Sequence, residues 1–191
     1  MKKKHKNPKS DSKKESTQKE EKKGKGYKAI FRFVLLFIGL LISFTILFSL
    51  TRDNLLYPFS EKLVFATAYV VGLVLNLLGM DAQVSWQFLN MKNFNVEIVV
   101  ECTGLYEMFI FSLGMLAYPA SFKKKLWGAL LGIPFIFLIN IIRMVFITAL
   151  SNYRPELFEF LHLYFWQVAL ILIILCTWIL WIEKIVKSEK F

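Results

Sequence analysis

The 191-residue chain has little of what most catalytic and metal-binding sites are made from: two cysteines, two histidines and 20% charged residues. With one usable Cys, one usable His and no pair of ligands at metal spacing, it predicts no metal site. No G-x-S-x-G elbow, P-loop or dinucleotide fingerprint occurs, so no cofactor is implied either. Depth argues against a disulfide between Cys102 and Cys176, since the two positions differ by about 20 Å along membrane helices at the helical rise.

What the chain has in abundance is apolar surface. It is 56% hydrophobic with 19 Phe, and its mean hydropathy is +0.50, values far from those of a soluble domain. The composition predicts an all-α polytopic membrane protein. Positive charge is concentrated at one end. Residues 1 to 28 hold 12 Lys against Asp11, Glu15, Glu20 and Glu21, which is eight of the ten formal net charges. Such a segment cannot bury enough surface to offset its ordering entropy, so composition predicts a disordered polybasic cytoplasmic tail over 1–28 and a single membrane-embedded domain over 29–191. The tail suits anionic lipid. With no Arg, no interleaved aromatic and no folded module, it does not suit nucleic acid.

Hydropathy marks five apolar segments, at residues 29–50, 62–80, 103–121, 126–150 and 162–182. Each is close to the length that crosses a core of about 30 Å. The first ends in bulky "LFSLTRD" with no small-residue cleavage site and is read as an anchor rather than a signal peptide. Between the second and third, "AQVSWQFLNMKNFNVEIVVE" alternates on both sides of the polar "NMKN", which predicts a β-hairpin over 82–101. Unpaired strand edges cannot face lipid, so the hairpin belongs outside the membrane.

The positive-inside rule places "FKKKLW" at 122–127, "EKIVKSEK" at 183–190 and the N-terminal tail in the cytoplasm. The hairpin and residues 151–161 then lie on the extracytoplasmic side. Five spans do not fit two cytoplasmic ends, so the expectation is four to five transmembrane helices, with the short 62–80 segment, which carries Asn76, Gly72 and Gly79, as the one that does not cross.

Polar groups inside membrane helices are costly and mark candidate sites. They are Glu107, Asn140 and Arg143, with Cys102 and His162 at helix entrances. Counting from Leu126, Arg143 is about 25 Å along its helix, near the outer end of the core. Cys102 and His162 begin the flanking helices on that same side, and Asn140 lies one turn deeper than Arg143 on one face. A helix N-terminus and a nearby imidazole or guanidinium favour a thiolate. Cys102 therefore reads as a nucleophile, His162 as general acid or base and Arg143 as holder of an oxyanion, with Gly104 allowing close backbone approach. Each residue has a plainer role: a packed thiol, an interfacial aromatic, a snorkelling cation. Glu107, about 140° around its helix from Cys102, reads as a structural partner for Arg143. Cys176, among Leu, Ile and Trp, reads as a small apolar residue.

"ECTGLYE" around Cys102, "NIIRMVF" with Asn140 and Arg143, and "LHLYFWQV" with His162 resemble the three motifs of the exosortase and archaeosortase family of membrane-embedded transpeptidases, over about residues 62–185. The resemblance implies a Cys102, Arg143, His162 site. It also implies secreted protein substrates carrying a C-terminal motif, a helix and a basic tail, cut at the motif and passed to a lipid or other acceptor. Thr103 stands where Ser or Ala is common, and the chain has fewer helices than typical members. The competing reading is a non-enzymatic assembly or export factor, for instance in exopolysaccharide production. A transporter would need a polar path into the cytoplasmic half, which the sequence does not provide. An active-site Cys102 should react with a thiol reagent faster than Cys176.

Overall fold

The computed structural model describes the backbone of residues 8–51 and 57–187. Among the described residues the chain is helical but for one small sheet, and four helical stretches, Ile30–Thr51, Pro58–Leu77, Phe122–Tyr153 and Pro155–Val186, are long and apolar enough to cross a membrane. The protein is a multi-pass membrane protein.

Helix α1 (Pro8–Thr51) stands at the edge of the bundle and exposes most of its apolar side chains. It attaches through aromatics spaced at i, i+4, i+11 and i+15, positions that share one helical face. Phe33 and Phe37 pack on Trp178 with ring centroids 5.4 and 5.8 Å apart, Phe44 on Phe109 at 4.2 Å, and Phe48 on Tyr106 at 5.5 Å. Helix α1 begins at Pro8, within the Lys-rich segment. Lys, Glu and Gln are good helix formers, and extending an existing membrane helix avoids the cost of a new nucleus. The first seven residues of the tail lie outside the described residues.

Helix α2 (Tyr57–Leu77) buries Val64, Ala68, Val71 and Leu75, a stripe at helical spacing. At 21 residues it is not short, so shortness does not keep it from crossing. The short apolar helix is α3 (Leu105–Ala117), whose 13 residues rise only about 20 Å. Phe59 and Leu63, near the start of α2, share a cavity with Leu105, Met108, Phe109, Ile133 and Pro134, whereas its end meets the sheet.

The sheet has three strands, one more than the hairpin expected: β1 (Gln83–Ser85), β2 (Phe88–Asn90) and β3 (Asn95–Glu97), antiparallel in that order. The "NMKN" turn joins β2 and β3 as its polarity suggests. The additional turn pairs Ser85 with Phe88 across Trp86 and Gln87, with Trp86 at φ 56°. Two-residue hairpin turns need positive φ, normally supplied by Gly or Asn, which is why "SWQF" gave no turn signal. Two devices seat the sheet. The Asn76 side chain donates to the Ala82 carbonyl at 2.9 Å and accepts from its N–H at 2.8 Å. Gly72 has no Cβ where the Val84 side chain packs.

Helix α4 (Phe122–Tyr153) is the longest of the inner helices. Its far end holds the sheet, with Asn93 N–H donating to Asn152 Oδ1 at 3.1 Å. A short turn leads to the last span, which contains α5 (Trp166–Trp181) between two π-helical segments, Phe160–Phe165 and Ile182–Val186. Two cores result. One joins α2, the sheet, Cys102, Ile141 and Met144; the other gathers Phe111, Met115, Ile136 and Trp181 towards the Lys-rich end.

Candidate active site

Cys102 closes a 3-10 turn (Val100–Cys102) that leads from β3 to α3, and is held by its N–H to the Val99 carbonyl at 2.8 Å. Thr103, fully buried, donates its hydroxyl to the Val100 carbonyl at 2.7 Å, so the hydroxyl serves the turn rather than the chemistry. Gly104 follows at φ +79°, a conformation that L side chains rarely adopt. A Cβ there would also come within 3.0 Å of Asn140. "CTG" is therefore a turn built to bring backbone against α4.

Asn140 receives that backbone. Its amide donates to the Cys102 carbonyl at 2.7 Å, and its own carbonyl accepts from an Arg143 guanidinium N–H at 3.1 Å. The other Arg143 terminal nitrogen lies 3.4 Å from His162 Nδ1. Guanidinium has no lone pair, so Nδ1 must accept, which puts the imidazole proton on Nε2. His162 sits in the π-helical segment, a distortion often found at functional sites, with its ring stacked on Phe158 at 5.3 Å and 9°. Phe158 packs in turn on Phe94 at 5.1 Å. Sequence reasoning missed Phe158; an aromatic four residues before His162, on the same helical face, is the available signal.

The structure thus joins Cys102, Gly104, Asn140, Arg143 and His162, from three separate segments, in one connected group. Glu107 is the exception. Among the described residues the one ion pair is Arg154–Glu156; Glu107 makes no contact-distance pair with Arg143, although each lies within reach of the other's charge. Glu107 Oε2 is buried without a hydrogen-bond partner, as is Arg143 Nε. Arg143 spends its terminal nitrogens on Asn140 and His162 instead.

The thiol also differs from expectation. Cys102 is only 4% exposed, and burial pushes its pKa up, against weaker downward pulls from hydrogen bonding at Val99 and the Arg143 charge. The helix start does not outweigh desolvation. No hydrogen bond joins the thiol to His162 among the described residues, and both cysteines are free, with Cys176 exposed. Faster labelling of Cys102 than of Cys176 is therefore not what the resting structure supports. In a Cys176→Ala background, maleimide should modify folded Cys102 more slowly at pH 7 than the same thiol in the unfolded chain. The rate should climb with pH beyond the ordinary thiol range of about 8.5. Equal rates at pH 7 would contradict the burial.

Gly104→Ala combines an unfavourable φ with an overlap on Asn140. It should cost about 1–2 kcal/mol in stability. A lowered unfolding midpoint in detergent checks it, and an unchanged midpoint would show that the turn can relax.

Residues 25–182 match the family description of transmembrane exosortase. The probable archaeosortase E of Methanocaldococcus jannaschii is 32% identical over 119 residues, which cover 61% of this chain and 62% of that relative. The chain thus aligns with somewhat under two thirds of the curated relative's length. No solved structure matches. With the motif-bearing segments joined at one site and the family match spanning most of the sequence, the chain belongs to the transmembrane exosortase family.

Proposed function

We propose that the protein is a membrane cysteine transpeptidase that cleaves C-terminal sorting signals of secreted proteins and transfers them to an acceptor. Cys102 is the nucleophile, His162 the acid and base, and Arg143 the oxyanion holder, and the site works near the extracytoplasmic face. The observation that carries this is the hydrogen-bond chain from the Cys102 carbonyl through Asn140 and Arg143 to His162, which links all three motif segments.

The resting site is latent. The thiol is buried with a raised pKa, and the lone pair of His162 is occupied by Arg143. A scissile carbonyl that takes over the Arg143 N–H frees Nδ1 to accept the thiol proton. Sγ then attacks the carbonyl carbon, and the charge that develops on oxygen is met by guanidinium donors already fixed by Asn140. The imidazolium returns the proton to the leaving amine, the C–N bond breaks and a thioester remains on Cys102. The acceptor's nucleophile gives its proton to His162 and displaces Sγ, which regains the thiol. Asn140 touches none of the reacting atoms; it is a positioning residue.

Co-expression with a secreted protein bearing a C-terminal motif, helix and basic tail tests the reading. The expected product lacks helix and tail and carries added acceptor mass. A substrate left at full length by the wild-type enzyme, across the candidate substrates of the same cell, would contradict it.

A further inference from the structure

Away from the Cys102 site, a slot of about 370 Å³ opens between α4 and the last span. Its lining includes Phe111, Leu131, Phe135, Thr177, Trp181 and Lys184. The volume falls in the range of built ligand sites. Its polar groups are almost all spoken for. The Thr177 hydroxyl donates to the Ile173 carbonyl at 2.7 Å, and Trp181 Nε1 donates to the Lys124 carbonyl at 3.0 Å. Lys184 alone among the lining residues presents a charge. The rim around it is basic: Lys124 Nζ is bound to the Val186 carbonyl at 2.5 Å, which brings the start of α4 against the π-helical end of the last span. Lys123, Lys125, Lys187 and Lys190 neighbour these residues in sequence, against two acids, Glu183 and Glu189.

We propose that this slot is a binding site for an anionic glycerophospholipid, with an acyl chain between α4 and α5 and the phosphate at Lys184. The chemistry of the walls selects the occupant. A chain with no hydrogen-bonding needs suits a cavity whose hydroxyl and indole are already satisfied, and one anion suits a lining lysine that has no ion pair among the described residues. Basic pockets between membrane helices at the Lys-rich side recognise lipid headgroups in this way. A zwitterionic lipid would fill the slot equally well but gain less from Lys184. The site is independent of the cysteine chemistry.

The test is native mass spectrometry of the full chain released from bilayers of equal phosphatidylglycerol and phosphatidylcholine, with size-exclusion profiles to confirm folding. Wild type should retain phosphatidylglycerol in preference to phosphatidylcholine. Lys184→Ala should lower that preference about fivefold, the effect of removing one cation at the membrane surface, and Lys184→Arg should keep it. Thr177→Trp, which leaves every lysine in place but fills the slot, should lose the retained lipid. Undiminished retention of phosphatidylglycerol in Lys184→Ala would overturn the assignment of the phosphate. Undiminished retention in Thr177→Trp would overturn the slot, leaving only a diffuse attraction of lysines to the surface.

Discussion

Cys102→Ala is expected to leave the partner protein at its full length, with no detectable processing, while Cys176→Ala processes it normally. The two cysteines stand in different settings. Cys102 ends the turn whose carbonyl is gripped by Asn140, within the group that contains Arg143 and His162. Cys176 is exposed on α5, with no part in that group. The Ala variant should fold, because losing one sulfur from a core that also holds Ile98, Ile141 and Met144 leaves only a small cavity. A normal size-exclusion profile together with unprocessed substrate is the expected pair of results. Processing by Cys102→Ala at any substantial rate would end its assignment as nucleophile.

Arg143→Lys is expected to lose most activity although the charge is kept. Arg143 uses separate guanidinium nitrogens for Asn140 and His162, at 3.1 and 3.4 Å, while its Nε has no partner. A planar fork can hold these two groups and swing one N–H onto an oxyanion without losing the other contact. An ammonium is a flexible point charge and cannot reproduce that geometry. Loss of one oxyanion donor costs about 100- to 1000-fold in rate, and a comparable fall in cleavage is expected at equal protein in membranes. Were Arg143 only a snorkelling or ion-paired cation, Lys would serve nearly as well. Near-wild-type cleavage by Arg143→Lys would remove the catalytic role, and a collapsed size-exclusion profile would make the residue structural.

Much of this site was legible because membrane helices simplify geometry. Once the Lys clusters oriented the helices, the 1.5 Å rise per residue put Cys102, Arg143 and His162 at one level, and the i, i+3 relation put Asn140 beside Arg143. The alternation around "NMKN" showed the β2–β3 hairpin, but the β1–β2 turn stayed hidden because Trp86 adopts a positive φ that its sequence does not signal. Hydropathy marked 103–121 as a full span, yet Gly104 and "YPAS" around Pro119 confine α3 to Leu105–Ala117. The charges misled most. Opposite signs at similar depth suggested a Glu107–Arg143 pair, but hydrogen-bonding partners on α4 and the last span claimed the guanidinium. The helix start suggested an activated thiol, but the sheet and α2 bury Cys102, and desolvation is the larger effect on it. Burial of that kind depends on which elements fold over a residue, and periodicity does not carry it.

In the proposed reaction the Cys102 sulfur becomes covalently bound to the substrate. The most direct measurement is intact and peptide-level mass spectrometry of enzyme quenched in acid during turnover, before and after neutral hydroxylamine, which cleaves thioesters. A substrate-sized adduct is expected on the peptide containing Cys102, released by hydroxylamine and absent from Cys102→Ala. Processing that proceeds with no adduct on that peptide, or with an adduct on another residue, would contradict it.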